Sequence, residues 1–442
     1  MSHALAYRRD IPIRYTCDIL VAGGGPAGVA AALTAVRQGR SVRLIEAHTC
    51  LGGMGTAGLV PAFMSFTDGV NFLAGGFGRE LLTRLREAGG TWPREEIASP
   101  GIRAEVLKRV YDDMLTEAKV AFTFHSALVD TIRDGRAVRH AVCAGKSGLF
   151  AIAAKVFVDA TGDGDLCAMA GAPFEKGDSE GQTMPGTLCS LWAGVDWAAV
   201  KAGGLGAGAA RLEDAFKAGV FTFEDRHLSG MRRVGESLGG GNIGHTFGVD
   251  GTSEESLTRA YVWGRKSLLE YERYYKEFLK GFENMELAAT GSLLGVRETR
   301  RIMGDYVLCL DDFKRRAVFD DEIGRFSYPV DIHVARPDKA SFEKFQKEFN
   351  ELRLGKGESY GIPYRILIPL GLDNVLVAGR CVSTDRSMQA SIRVMPGCYI
   401  TGQAAGMAAA MAVERKSGTR AVPVKELQAR LKAMGAFLPN CS

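Results

Sequence analysis

The sequence predicts an α/β protein, a three-layer ββα, Rossmann-like domain interrupted by an inserted α+β domain. Three observations carry that expectation. Residues 17–46 read CDILVAGGGPAGVAAALTAVRQGRSVRLIE: an apolar strand, a G-x-G-x-x-G turn, a helix of small and apolar residues, and a second strand ending in an acid. Two further apolar strands, in KVFVDATGDGDL and NVLVAGRCVSTD, each run into a glycine. Between them, residues 183–366 mix helical and strand-like stretches. The expected division is a discontinuous dinucleotide-binding domain over 1–182 and 367–442, with a substrate-binding domain over 183–366 inserted into it.

Each part of the opening unit has a physical task. Gly23 permits the tight turn, Gly25 lets the backbone approach a pyrophosphate, and Gly28 allows close helix–strand packing. The helix that follows offers free N–H groups and a favourable dipole to an anion, and Gly39 suits its end. Glu46 stands where a carboxylate accepts hydrogen bonds from ribose hydroxyls. A second match, GGGNIG at 239–244, follows no apolar strand and opens no helix, so a loop is expected there.

Composition excludes several classes. Hydrophobic content of 46% and charged content of 24% are ordinary for a globular protein. The 55 basic and 51 acidic residues leave a charge of only +4, no footprint for nucleic acid. Nine cysteines contain no C-x-x-C pair, which argues against zinc or iron–sulfur ligation, so no metal is expected and reduced cytoplasmic thiols are. The 55 glycines suit many close backbone approaches around a large cofactor. The N-terminal stretch has no apolar h-region, so no signal peptide is expected. Val394 to Val413 carries no charge and has the length of a membrane span. Yet Pro396, Gly397, Gly402, Gln403 and Gly406 leave it little Leu, Ile, Val or Phe, and a buried helix is expected instead.

In the inserted segment, TLCSLWAGVDW reads as a strand. Thr252 with Glu255 reads as a capping box that starts a helix of about seven turns. Tyr271, Tyr274, Tyr275 and Phe278 on that helix are expected in a core. GVRETRRIMGDYVLCLDD, SYPVDIHV and GIPYRILIPL read as strands.

Taken in order, GGGPAG with its acid, LGGMGTAGLV, VDATGDGDL, GVRETRRIMGDYVL, YPVDIH, IPYRILIP and NVLVAGRCVSTDRSMQASIRVMPGCYITGQAAG resemble one family. It is the large family of bacterial FAD-dependent oxidoreductases with a glutathione-reductase-type FAD domain, distantly similar to the fumarate reductase and succinate dehydrogenase flavoproteins. The resemblance covers most of the chain and implies non-covalent FAD. It implies cofactor contacts from Gly23, Gly25, Pro26, Ala27, Gly28, Glu46, Ala47, Gly52, Gly53, Met54, Thr56 and Leu128. Further contacts are implied for Ala160, Thr161, Gly162, Asp163, Gly379, Arg380, Met395 and Pro396. It also implies that the C-terminal helix aims its N-terminus at the flavin pyrimidine, with Gly402, Ala404, Ala405 and Gly406 packing under the cofactor. His48 lies near the wrapping loop, where a covalent flavin link is disfavoured.

The chemistry expected is hydride transfer between a small organic substrate and flavin N5, by a dehydrogenase, oxidase or reductase. A flavin-dependent monooxygenase is the alternative; a tRNA-linked or non-catalytic flavoprotein is disfavoured by the near-neutral charge. Catalytic candidates are His333, placed at a strand end beside Asp331, and His245 after the glycine loop. Arg297, with Arg300, suits a carboxylate or an enolate, although Glu298 and Asp305 are equally apt ion partners. Arg393 precedes the C-terminal helix, and Tyr364 and Arg365 sit where the chain re-enters the first domain. Neither nucleic acid nor membrane is expected as a partner. The electron partner is left open, and a homo-oligomer is compatible with the sequence.

Overall fold

Ile19 to Ala22 are fully buried, and that continuous apolar run makes β1 (Ile13–Ala22) the middle of a seven-stranded sheet. The computed structural model describes residues 5–441. On one side β1 pairs in parallel with β2 (Val42–Ile45), which pairs in parallel with β3 (Ala121–Thr123). β4 (Ala127–Asp134) and β5 (Ala137–Gly145) form an antiparallel meander that leads into β6 (Gly148–Asp159), and β6 pairs in parallel with β1. The strand Val375–Val377 also runs parallel to β6, along its second half. Ala22, Ile45 and Asp159 fall in register, so three parallel strands end at one edge. Helix α1 (Pro26–Arg37) starts there and stops at Gln38, with Gly39 following at φ +74°.

A second, antiparallel sheet comes from the middle of the chain. It holds β7 (Ser190–Ala193), β8 (Gly230–Arg233), β9 (Gly239–Asn242) and β10 (Glu286–Thr290), in the order β8-β9-β7-β10. Helix α2 (Glu254–Phe278) packs Tyr271, Tyr274 and Tyr275 into a separate apolar cluster with Trp192, Phe282 and Met285, as the aromatic spacing predicts. Its N-cap is Ser253, whose hydroxyl accepts the Ser256 N–H; Thr252 instead bonds Asp250, so the expected box is replaced by a simple cap one residue later.

Other expectations are corrected. GGGNIG is no free loop: Gly239–Asn242 is an inner strand. A Cβ on Gly240 would lie 2.4 Å from Pro61 Cβ, and one on Gly241 would lie 2.7 Å from Ser190 Oγ. GVRETRRIMGDYVLCLDD yields only the short strand Arg300–Ile302, and SYPVDIHV yields none. Pro329 lacks the N–H that a ladder needs. GIPYRILIPL pairs Tyr360–Pro363 with Glu322–Phe326, then turns into the 3₁₀ segment Tyr364–Leu367. Helix α3 (Lys339–Glu351), capped by Asp338, lies in the same region.

The uncharged C-terminal run forms helix α4 (Met395–Arg415), buried from Met395 to Val413. It packs along α1: a Cβ on Gly402 would lie 2.2 Å from the Ala27 carbonyl, and one on Gly406 would lie 2.2 Å from that of Ala31. The small residues therefore serve helix–helix contact rather than passage under a cofactor, which corrects that expectation. Among the described residues no helix is long and apolar enough to cross a membrane.

Candidate functional site

The aligned ends of β1, β2 and β6 open on a cavity of about 1210 Å³ that continues into the inserted segment. Its cradle end is made by glycine. Gly23 takes φ +97°, and a Cβ there would lie 2.5 Å from the Ala160 carbonyl; a Cβ on Gly28 would meet Gly23 O at 1.8 Å. At Gly25 a Cβ would touch nothing within 4 Å, because that residue faces the open cavity. Glu46 Oε2 accepts the Gly24 N–H at 2.7 Å and Oε1 accepts the His48 N–H at 2.8 Å. The carboxylate locks the loop and retains lone pairs for a further donor.

Of the residues implied as FAD contacts, Gly23, Gly25, Pro26, Ala27, Glu46, Ala47, Gly53, Met54 and Leu128 line this cavity. So do Ala160, Thr161, Gly162, Asp163, Gly379, Arg380 and Met395, and His48 stands exposed among them. Gly28, Gly52, Thr56 and Pro396 lie behind the wall. Gly52 sits against the Tyr111 ring, Thr56 donates to the Leu51 carbonyl, and Pro396 is buried in the first turn of α4. Arg380 braces the Ala160–Asp163 loop, donating to Gly162 O at 2.9 Å and to Asp163 Oδ1 and Val296 O at 2.6 Å. Helices α1 and α4 both begin at the cavity, and neither N-terminus has a side-chain cap. Uncapped N–H groups beside a surface that any Cβ would obstruct fit the pyrophosphate and ring of a dinucleotide.

At the other end the polar groups are side chains. His245 Nδ1 lies 2.9 Å from Asp225 Oδ2, His245 Nε2 2.9 Å from His333 Nδ1, and His333 Nε2 3.3 Å from Asp331 Oδ2. Arg393 Nη2 and the Tyr328 hydroxyl both donate to Asp331 Oδ2 at 3.3 Å. A third imidazole, His227, stacks on His333 with centroids 4.0 Å apart. His333, Asp331, His227, Arg297, Arg393 and Tyr328 line the cavity, with His245 and Asp225 behind them.

Burial governs the protonation of this cluster. It pushes His227 down to about 3, helped by the charge of His245. Burial and then the Arg297 charge hold His333 well below the usual histidine range. Burial opposes ionisation of Asp331, but His333 and Arg393 outweigh it and keep the carboxyl low. Asp225, His245, His333 and Asp331 thus form a file in which two imidazoles stand between two carboxylates. The His333–Asp331 link is the longest, and it is the one formed by two cavity-lining residues.

His227, Asp331 and His333 present ligand-type atoms within 4.8 Å of one another. The rings of the two histidines are stacked at an interplanar angle of 11°, so their lone pairs run side by side instead of converging. Proton handling fits the arrangement better than ligation.

Three candidates stand away from the cavity. Tyr364 is buried and donates to Thr419 O at 2.8 Å, Arg365 pairs with Asp321, and Arg300 pairs with Asp165. Glu298 pairs with Arg301 and Arg386, and Asp305 with Arg420, so neither neutralises Arg297. Sequence reading missed His227 and Asp225. Their one signal is a repeated D-x-H, Asp225-Arg226-His227 and Asp331-Ile332-His333, two stretches the fold brings face to face.

A family model described as FAD dependent oxidoreductase matches residues 18–431. Among solved structures, the chain aligns with a geranylgeranyl bacteriochlorophyll reductase-like protein of Thermoplasma acidophilum at 13% identity and TM-score 0.46, over 96% of this chain and 84% of that one. It aligns with the flavin-dependent brominase Bmp2 at 13% identity and TM-score 0.48, over 95% and 83%. For the p-nitrophenol 4-monooxygenase PnpA of Pseudomonas putida DLL-E4 the values are 12% and 0.42, over 95% and 81%. Likenesses of this depth carry no argument about substrate or reaction. No curated protein matches the chain.

Proposed function

The chain belongs to the family of FAD-dependent oxidoreductases, and from that premise we propose that it exchanges a hydride between FAD and a small organic substrate. When bound, FAD accepts or returns that hydride at N5. Those implied contacts that line the cavity would hold it non-covalently, with Glu46 at the ribose and the uncapped N-termini of α1 and α4 at its anionic parts. We read residues 1–182 and 367–442 as the FAD-binding domain and 183–366 as the inserted substrate domain. The separate apolar clusters around Trp192 and Leu188 support the insert, while Ile302 to Ile366 pack into the main core.

The observation that carries this reading is the His333–Asp331 pair on the wall of the same cavity as the glycine cradle, backed by His245 and Asp225. Oxidation of an alcohol or amine carbon releases a proton together with the hydride. His333 Nε2 takes that proton and, once charged, pairs with Asp331, while His245 holds the ring through its other nitrogen. In the reducing direction the same atom returns it. Arg393 steadies Asp331 as a carboxylate throughout.

The test is anaerobic. Oxidised holoenzyme is mixed with a panel of alcohols, amines and acids, and the visible flavin bands should bleach with at least one of them, without any other reductant. Bleaching only by a nicotinamide, followed by oxygen-dependent hydroxylation of a panel member, would overturn the proposal in favour of monooxygenation. Acid precipitation of the same protein should leave a yellow supernatant that co-elutes with FAD; colour kept in the pellet would contradict non-covalent binding.

A further inference from the structure

Arginines buried in this fold are given carboxylates. Arg301, 3% exposed, donates to Glu298 at 2.7 Å, and Arg325, 6% exposed, donates to Glu322 at 2.5 Å. Arg297, 7% exposed, is different. Its Nη1 donates to Pro185 O at 2.8 Å and to Thr187 Oγ1 at 2.9 Å, and its Nη2 reaches Asn242 Oδ1 only at 3.4 Å. Every hydrogen bond it makes among the described residues goes to a neutral oxygen. A buried cation without a counter-charge is strongly disfavoured, because desolvation is not repaid by a partner.

A second guanidinium crowds it. Burial and then the charge of Arg393 push Arg297 down to about 10. The Nε of Arg393 is buried with no acceptor, and its Nη2 bonds the Asp331 backbone carbonyl at 3.2 Å and Oδ2 at 3.3 Å, an oxygen it shares with His333 and Tyr328. Both arginines line the cavity, and planar guanidinium forks match a carboxylate.

Next to this pair, α3 presents Phe342, Phe345 and Phe349 to the same cavity, at a spacing that puts them on one helix face. Phe345 lies 5.4 Å from Phe349 and 4.6 Å from the His227 ring, which itself stacks on His333. An aromatic file thus runs from Phe349 through Phe345 and His227 to the proton-handling His333. We propose that the substrate is a carboxylate with a flat apolar body, its anionic end held by Arg297 and Arg393 and its body lying along the aromatic face of α3. As an account of the substrate this rests on the oxidoreductase reading; as a binding site it stands on the residues alone.

The test titrates oxidised holoenzyme with benzoate, benzamide and acetate, and reads perturbation of the visible flavin bands. Benzoate should bind at least about tenfold more tightly than benzamide, the neutral isostere, which reads the charged hydrogen bonds. It should also bind at least about tenfold more tightly than acetate, which lacks the body. Benzamide equal to benzoate would remove the anion site, and acetate equal to benzoate would remove the aromatic one. Arg297→Met should cost benzoate about tenfold or more and Arg297→Lys less, at unchanged FAD content; Arg393→Met gives the same reading where Arg297→Met does not fold. Benzoate binding held at wild-type strength in both methionine variants would overturn the assignment. Benzoate binding with no flavin reduction across the panel would sink hydride transfer and leave the site standing. Reduction by neutral alcohols with no preference for carboxylates would do the reverse.

Discussion

The two ends of the cavity are built on opposite terms. At the cradle end backbone N–H groups face the cavity, Gly23 and Gly28 leave no room for a Cβ, and the Glu46 carboxylate ties the loops together. At the inserted end the polar groups are imidazoles, carboxylates and guanidiniums, buried and in contact with one another. The first end works by shape, fitted to a large cofactor. The second works by displaced protonation, which only desolvated and mutually charged side chains supply. A cofactor that brings its own redox chemistry leaves its pocket to hold it, whereas the proton has to be handled by the protein.

Substitutions at the two ends should therefore fail in different ways. The largest effect is expected at the inserted end. His333→Ala should retain FAD with a normal visible spectrum while flavin reduction by substrate slows about 10²–10⁴-fold, the usual share of general acid–base catalysis. Stopped-flow reduction measures this. Normal reduction in a protein that melts several degrees lower would make His333 scaffold.

At the cradle end Gly402→Val should act through shape. Its Cβ would need space already taken by the Ala27 carbonyl, 2.2 Å away, so α4 must move off α1 at a cost of about 1–3 kcal/mol or more. Thermal unfolding should drop and FAD should be lost together. An unchanged melting curve would show that the two helices part freely.

Glu46→Ala should weaken FAD retention by about 1–3 kcal/mol, the scale for leaving buried donors unpaired, here the Gly24 N–H among them. Saturating FAD should restore flavin reduction, unlike in the His333 variant. Equal FAD affinity by equilibrium titration would mean that the carboxylate does not reach the ribose.

The smallest effect is a slope. Burial holds His227 at about 3 in the folded protein, against 6.5 ordinarily. As pH falls from 6.5 toward 3, the unfolded chain binds a proton that the folded chain refuses. Its stability contribution is thus complete above 6.5 and is lost on acidification, at up to about 1.4 kcal/mol per pH unit. Denaturant titrations should show His227→Phe with a shallower acid slope than the parent; parallel slopes would mean that His227 is protonated in the folded state.

What the sequence by itself determined is the cradle. A strand, a G-x-G-x-x-G turn, a helix start and Glu46 lie within 34 residues, Ile13 to Glu46, and each acts through its own backbone geometry, so spacing suffices to read them. The aromatic face of α2 was legible for the same reason, since its period is local. Tertiary structure alone decided the rest. It turned a glycine run into the inner strand β9, because Pro61 and Ser190 leave no room for a side chain there. It sent Tyr364 into the core toward Thr419, away from the cavity. It brought His227, Arg297, Asp331, His333 and Arg393 to one wall, set His245 and Asp225 behind them, and gave Arg297 only neutral hydrogen-bond acceptors. In the sequence a histidine is a single residue with an ordinary pKa. Its protonation state depends on desolvation and on charges nearby in space, some of them, such as Arg297 and His227, from segments distant in the chain.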